Sequence, residues 1–216
     1  MDVCKYLEHT LLKPNATKDE LNKLLDEAIK YNFYGVCVNP VNIKYAKDYL
    51  KNSDVKIVTV CGFPLGANVS DVKAYEAKRA IDDGADEVDM VINISALKDK
   101  NYELVKSDIE AVKKACGENI LKVIIETDLL TVEEIKKVCE ICIEAKADFV
   151  KTSTGFVKDG VGAKVEDVAL MYETVKDYGL RVKASGGVRD IEKAKLVIEK
   201  GASRIGTSSS IKIVEG

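Results

Sequence analysis

Several charged side chains interrupt runs of sequence that otherwise have the apolar character of buried strands. Asp89, Lys151 and Lys183 each lie within or at the end of a short apolar run, and Lys122 and Glu126 alternate with apolar residues along another. A charge buried in a strand is costly unless it pairs with another charge or takes part in chemistry. A single lysine of this kind is more often at a strand end facing solvent, because lysine avoids burial. Two lysines and an aspartate on three such runs favour a reaction site instead.

A pair of neighbouring lysines has a specific chemical use. Lysine attacks a carbonyl only as the neutral amine, and its ordinary pKa of about 10.4 leaves almost none neutral near pH 7. Lowering that pKa to about 7 requires about 4 kcal/mol of destabilisation of the charged form. A second ammonium about 6 Å away supplies about 2.8 kcal/mol at an effective dielectric constant near 20, and partial burial supplies the remainder. Such a lysine forms Schiff bases, and a nearby carboxylate moves the protons that this chemistry requires.

The elements that would position these residues alternate short apolar runs with longer amphipathic segments. The apolar runs predict eight strands: Glu8–Leu12, Gly35–Val38, Lys56–Cys61, Glu87–Ile92, Leu121–Glu126, Phe149–Lys151, Arg181–Ala184 and Arg204–Gly206. Apolar residues at helical spacing predict helices at Lys18–Tyr31, Asn42–Leu50, Asp71–Asp82, Leu104–Cys116, Val132–Glu144, Val165–Tyr178 and Ile191–Lys200, with a short last segment at Ser209–Val214.

Eight strands that are each followed by a helix predict an α/β protein with the (β/α)8 barrel fold (TIM barrel). The strands are rich in valine and isoleucine, as parallel strands buried on both faces are. We expect one domain over residues 1–216, with the reactive side chains at the carboxyl ends of the strands, where barrels build their active sites. Periodicity alone does not show closure, so a doubly wound open sheet remains the alternative.

Two segments rich in glycine and serine are suited to bind an anion. Ser185–Arg189 follows the predicted seventh strand, and Gly206–Ser210 follows the eighth. Glycine lets a ligand approach the backbone closely, and helix N-termini present free N–H groups to negative charge. Phosphate-binding barrels often hold their phosphate in these two loops. Gly155, after the run that ends in Lys151, could add a third backbone contact.

The composition argues against several classes of protein. The 216 residues include 33 basic and 36 acidic side chains scattered along the chain, for a net charge of −3, so we expect no nucleic-acid partner. No apolar run approaches the length of a membrane span, and charges interrupt the first residues where a signal peptide would be apolar. We therefore predict a cytoplasmic protein without a membrane partner.

The cysteine pattern gives little support to a metal site. Cys139 and Cys142 form a C-x-x-C pair, but the pair lies in an amphipathic helical stretch. There is no second pair, and the chain has one histidine. We expect helix packing for these cysteines and no bound metal.

Taken together, the motifs resemble those of the deoxyribose-phosphate aldolase family, which consists of class I aldolases that form Schiff bases. The segment Lys151–Gly155 (KTSTG) resembles the motif of the imine-forming lysine, and Lys183–Arg189 (KASGGVR) that of the second lysine. Glu87–Val91 (EVDMV) is similar to the strand of the catalytic aspartate. Supporting segments match in order from about Tyr6 to Ser209.

The resemblance implies a reaction and a set of site residues. The reaction is the reversible cleavage of 2-deoxy-D-ribose 5-phosphate, a step of deoxyribonucleotide catabolism, into acetaldehyde and D-glyceraldehyde 3-phosphate, without a metal or organic cofactor. By motif, Lys151 would form the imine, Lys183 would lower the pKa of Lys151, and Asp89 would transfer protons. The residues that would surround the substrate phosphate are Gly155, Gly186, Gly187, Gly206, Ser208 and Ser209.

The chain departs from the family pattern at three places. Glu8 replaces an aspartate in the first motif, and Asp128 stands where a small or apolar residue is more usual. No tyrosine follows Tyr178, whereas some members use a C-terminal tyrosine in proton transfer. His9 is expected to be a structural hydrogen-bonding residue rather than a base, because a lone histidine without a placed partner is weak evidence.

Two other functions stay open at this stage. One is another phosphosugar lyase or isomerase on the same barrel, which imine trapping would separate from the aldolase. The other is a catalytically silent barrel that binds a phosphorylated sugar. The sequence also leaves the oligomeric state open, with a homo-oligomer, either dimer or tetramer, as one outcome.

Overall fold

Eight parallel strands close into a barrel in chain order, in a computed structural model that describes residues 2–216. The strands are β1 (Leu7–Leu11), β2 (Gly35–Val38), β3 (Lys56–Cys61), β4 (Glu87–Val91), β5 (Ile120–Ile124), β6 (Phe149–Lys151), β7 (Arg181–Ser185) and β8 (Ala202–Thr207). Each strand pairs with its neighbours in sequence, and β8 pairs with β1. The closure confirms the predicted (β/α)8 barrel and rules out the open sheet.

The helices follow the strands along the chain and lie outside the barrel. They are α1 (Lys18–Lys30), α2 (Ile43–Tyr49), α3 (Ser70–Asp82), α4 (Ile94–Lys98), α5 (Tyr102–Cys116), α6 (Val132–Glu144), α7 (Val165–Val175), α8 (Ile191–Glu199) and α9 (Ser210–Glu215). Capping boxes begin two of them: Thr17 and Glu20 exchange hydrogen bonds at α1, and Thr131 and Glu134 do so at α6. Within residues 2–216, no helix combines the length and the hydropathy needed to cross a membrane.

The structure differs from the predicted elements at several places. The short helix α4 was not predicted, because five residues are too few to show helical periodicity. The predicted helix Val165–Tyr178 ends at Val175 and continues as a 3-10 turn, which Gly179 terminates in a left-handed conformation. The predicted strand Leu121–Glu126 ends at Ile124, and Glu126 adopts a positive φ of 60° as the chain turns into a short 3-10 helix.

The interior of the protein contains two separate clusters of apolar side chains. The larger one lies between the sheet and the helices and includes Ile57 and Cys61 of β3. The smaller one consists of Leu12, Cys37, Val58 and Val60, with Phe63 packed against it. Because successive strand residues face opposite sides, this smaller cluster lies inside the barrel, on the side of β2 and β3. The strands β1, β4, β5, β6 and β7 contribute buried charged side chains to the barrel interior.

A buried ion pair outside the barrel is hydrogen-bonded to the end of β4. The fully buried ammonium of Lys73 on α3 lies 2.6 Å from the Asp108 carboxylate on α5 and donates to the carbonyl oxygen of Val91 at 2.9 Å. Gly62 gives the lysine room, since a Cβ at that position would lie 2.9 Å from the Lys73 Cε. The pair therefore joins two helices to the strand that carries Asp89.

Candidate active site

The structure brings the three predicted catalytic side chains into direct contact. One carboxylate oxygen of Asp89, Oδ2, accepts hydrogen bonds from both Lys151 Nζ and Lys183 Nζ, each at 2.7 Å. The two lysine nitrogens are therefore no more than twice that distance apart. Strand register produces this arrangement, because Lys151 is the cross-strand partner of Lys183 and Asp89 is the partner of Lys122. All four side chains are buried.

Two glutamates and a third lysine complete the charged cluster. Lys122 Nζ lies 3.0 Å from Asp89 Oδ1 and 3.4 Å from Glu8 Oε1, and it also pairs with Glu87. Glu8 contacts Lys183 as well. The hydroxyl of Tyr34 donates a hydrogen bond to the Glu87 carboxylate. Sequence analysis missed the participation of Glu87, although the alternation of charge along β4 and β5 was a usable signal for it.

The carboxylates are distributed unequally among the three lysines. Within residues 2–216, Lys151 has one carboxylate partner, Asp89, whereas Lys183 has two and Lys122 has three. Lys151 also borders the cleft, while the other two lie beneath it. An opposite charge favours the ammonium form, and burial disfavours it. Lys151 is therefore the lysine whose neutral form the surroundings favour most.

The pKa values follow this distribution. Burial lowers the pKa of Lys151; the Asp89 carboxylate opposes this, and the Lys183 ammonium adds to the lowering. Burial would also lower the pKa of Lys183, but Asp89 and Glu8 outweigh it and raise that pKa above its ordinary value. Burial would raise the pKa of Asp89, yet Lys122, Lys151 and Lys183 hold it below its usual range. The site therefore combines a carboxylate, a lysine held in its ammonium form and a lysine whose ammonium form is disfavoured.

Burial contributes more to the lowered pKa of Lys151 than is expected from the sequence, where a second ammonium accounts for most of the effect and burial for the remainder. In the structure, Lys151 is 4% exposed, and Asp89 lies between the two lysines and offsets part of their repulsion. Desolvation of a nearly enclosed amine thus becomes the leading cause.

A cleft of about 330 Å³ opens above Lys151 at the carboxyl ends of the strands. All six residues predicted to surround a phosphate line it: Gly155, Gly186, Gly187, Gly206, Ser208 and Ser209. The cations Lys13 and Arg189 line it too and were not predicted as site residues. Asp89 and Lys183 lie under the floor of the cleft rather than in its wall. The cleft therefore has Lys151 at one end and a wall rich in glycine and serine at the other.

Backbone geometry explains the glycines in this wall. Gly186 and Gly187 have φ values of +78° and +70°, in the left-handed region that favours glycine. A Cβ at Gly187 would lie 2.2 Å from the carbonyl oxygen of Val161. The Ser209 N–H already donates to Thr207 Oγ1 at 3.0 Å, so Ser209 would offer its hydroxyl to an anion rather than its amide.

Comparison with known proteins places these features in a family. The sequence model of the DeoC/LacD family of aldolases matches residues 4–213. The chain belongs to this family. It is 58% identical to the deoxyribose-phosphate aldolase of Staphylococcus carnosus, over all of this chain and 97% of that protein. It is 59% identical to that of Thermococcus kodakarensis, over all of this chain and 96% of that protein. The tetrameric deoxyribose phosphate aldolase of Aeropyrum pernix is 32% identical, with a TM-score of 0.89 over 99% of this chain and 89% of that one.

Both acidic departures from the DeoC-family pattern have defined contacts. Glu8 reaches Lys183 and Lys122 and so belongs to the buried charged cluster. Asp128 Oδ2 accepts the N–H of Gly162 at 2.7 Å. Gly162 lies directly against Gly186, because a Cβ on it would be 2.4 Å from the Gly186 carbonyl carbon. Asp128 therefore holds the loop after β6 against the glycine turn of the cleft.

The single histidine of this family member has the structural role that the sequence predicts. His9 Nε2 lies 2.9 Å from Glu27 Oε2 on α1, and the histidine ring is buried. The ring also meets Phe33 edge to face at a centroid distance of 5.5 Å. His9 thus joins β1 to the first helix and does not line the cleft.

Proposed function

We propose that this protein is a class I aldolase that reversibly cleaves 2-deoxy-D-ribose 5-phosphate into acetaldehyde and D-glyceraldehyde 3-phosphate. The observation that carries the proposal is that one oxygen of Asp89 accepts hydrogen bonds from both Lys151 and Lys183. Asp89 is the one carboxylate partner of Lys151 within residues 2–216, whereas Lys183 also pairs with Glu8. Membership of the aldolase family and the names of the relatives support the same reaction.

The neutral amine of Lys151 begins the reaction by attacking the C1 aldehyde of the open-chain sugar. The carbinolamine loses water to give a protonated imine, which withdraws electrons from the C2–C3 bond. Removal of the C3 hydroxyl proton then breaks that bond, releases D-glyceraldehyde 3-phosphate and leaves an enamine on Lys151. Protonation at C2 and hydrolysis release acetaldehyde and regenerate the amine.

The buried carboxylate and the second ammonium would support different parts of this sequence. Asp89 touches Lys151 directly, so it is placed to exchange protons at the carbinolamine and enamine steps, with water completing the reach to carbon. Lys183, held charged by Glu8 and Asp89, would lower the pKa of Lys151 without forming the imine itself.

The other end of the cleft would hold the substrate phosphate. Gly155, Gly186, Gly187, Gly206, Ser208 and Ser209 form the wall there, and α8 and α9 begin just beyond the two loops. Exposed Arg189 adds a guanidinium, which suits a phosphate dianion. The tetrameric relative from Aeropyrum pernix supports the further proposal that this chain forms a homo-oligomer. A cytoplasmic location stays a prediction from the sequence.

An assay of product release tests the proposed reaction. We expect deoxyribose 5-phosphate to yield acetaldehyde and glyceraldehyde 3-phosphate in equal amounts, each measured by a coupled dehydrogenase. Prior treatment with EDTA should leave the rate unchanged, because the lysine supplies the electrophilic activation. An isomerised phosphosugar without acetaldehyde would instead identify an isomerase, and phosphate binding without any product would identify a silent barrel.

A further inference from the structure

Ser185 carries a buried hydroxyl group in the wall of the cleft that the proposed mechanism leaves unused. The residue is 5% exposed and lines the cleft directly after Lys183 and Ala184 on β7. Its Oγ has no hydrogen-bond partner among residues 2–216. An unpaired buried hydroxyl destabilises a fold, so a group of this kind at a cleft points to a ligand that completes its hydrogen bonding.

The backbone of Ser185 is held rigidly although its side chain is not. Thr152 Oγ1 donates to the carbonyl oxygen of Ser185 and accepts from its N–H, both at 2.9 Å. The N–H of Ala163 donates to the same carbonyl oxygen at 3.1 Å. The backbone from which the unpaired hydroxyl projects is therefore held in place before a ligand binds, as a specific contact requires.

The location of Ser185 is intermediate between the two ends of the cleft. It follows Lys183 by two residues on one strand, so it faces the same side about 6.6 Å further along, and Gly186 comes next. Gly206 makes room beside it, since a Cβ there would lie 2.6 Å from Ser185 Oγ and 2.9 Å from Lys183 Cε. The hydroxyl thus lies between the lysines and the glycines of the phosphate wall.

We propose that the Ser185 hydroxyl binds the substrate hydroxyl on the carbon next to the phosphate-bearing carbon, which is C4 of deoxyribose 5-phosphate. The inference rests on the proposed function. A substrate stretched from an imine on Lys151 to a phosphate at Gly186 carries hydroxyls on C3 and C4. The C3 hydroxyl loses its proton during cleavage and belongs near the lysines, whereas C4 comes next towards the glycines, level with Ser185. Ser185 is then a specificity-determining residue for the acceptor aldehyde.

The test is a comparison of two acceptors in the synthetic direction, with acetaldehyde as donor. One acceptor is D-glyceraldehyde 3-phosphate, and the other is 3-phosphooxypropanal, which lacks the hydroxyl in question. We expect Ser185→Ala to lower kcat/KM about tenfold with the first acceptor, the effect of losing one hydrogen bond, and to leave it unchanged with the second. Thermal stability should not fall, because the lost hydroxyl is unpaired in the free protein.

Ser153→Ala is the matched control. Ser153 is 1% exposed and its hydroxyl is also unpaired within residues 2–216, but it does not line the cleft. This variant should behave as the wild type with both acceptors. Equal losses with both acceptors for Ser185→Ala, or no loss with either, would overturn the inference while the wild type remains an active aldolase. A wild type without aldol activity would instead overturn the proposed function, and the inference with it.

Discussion

Replacing Lys151 with methionine is expected to lower kcat/KM for deoxyribose 5-phosphate by at least about 10⁴-fold, the scale seen when a covalent nucleophile is removed. Methionine keeps most of the length and volume of the side chain but cannot form an imine. Lys183 cannot substitute for the missing amine, because Glu8 and Asp89 raise its pKa and keep it charged. The measurement is product release under saturating and subsaturating substrate.

A lysine on the surface provides the control for this substitution. Lys195 on α8 is exposed, and Lys195→Met should retain wild-type kcat and KM. Circular dichroism should show that both variants are folded, because removing the Lys151 ammonium leaves Asp89 with two other cations. Residual activity within tenfold of the wild type in Lys151→Met would show that another group forms the covalent intermediate.

Lys183→Met is expected to move the acid limb of the pH–rate profile to higher pH and to reduce activity at neutral pH by about 10- to 100-fold. Two ammonium groups about 5 Å apart repel by about 3 kcal/mol at an effective dielectric constant of 20. This energy corresponds to a change of at most about 100-fold in the protonation equilibrium of Lys151. Burial still lowers the pKa of Lys151 in this variant, but the contribution of Lys183 is lost and Asp89 acts on Lys151 more strongly. The pKa of Lys151 therefore rises, and a higher pH is needed to obtain the neutral amine.

The direction of the pH effect separates two roles for Lys183. If it acts through the pKa of Lys151, activity should recover partly as the pH rises, because the neutral fraction of Lys151 then increases. If the loss of activity were equal at every pH, Lys183 would instead act as a proton donor to the substrate, and this result would contradict its electrostatic role. Lys195→Met again serves as the control, with an unchanged profile.

The barrel could be predicted from the sequence because its strands are buried on both faces and therefore form separate apolar runs. The limits of β2, β3 and β6 agree with the prediction at both ends. The edges of β8 do not: the predicted strand Arg204–Gly206 extends over Ala202–Thr207. Its additional residues are held by pairing with β7 and β1, and such long-range pairing leaves no local sequence signal.

The charged cluster could be predicted in part. Asp89, Lys151 and Lys183 were recognisable because each interrupts an apolar strand, and barrel closure brings such strands together. The partner of each charge was not predictable, because it depends on register across the barrel. Glu8, for example, contacts a lysine 175 positions away in sequence. The same holds for Asp128, whose contact with Gly162 depends on how two loops pack.

Borohydride trapping followed by peptide mass spectrometry tests the central claim most directly. The protein is reduced in the presence of acetaldehyde, and in parallel without it. The account predicts a reduced two-carbon adduct on the peptide that carries Lys151, only in the sample with acetaldehyde, and no adduct on Lys183. An adduct on Lys183 would reverse the roles of the two lysines, and a folded protein without any adduct would contradict the imine mechanism itself.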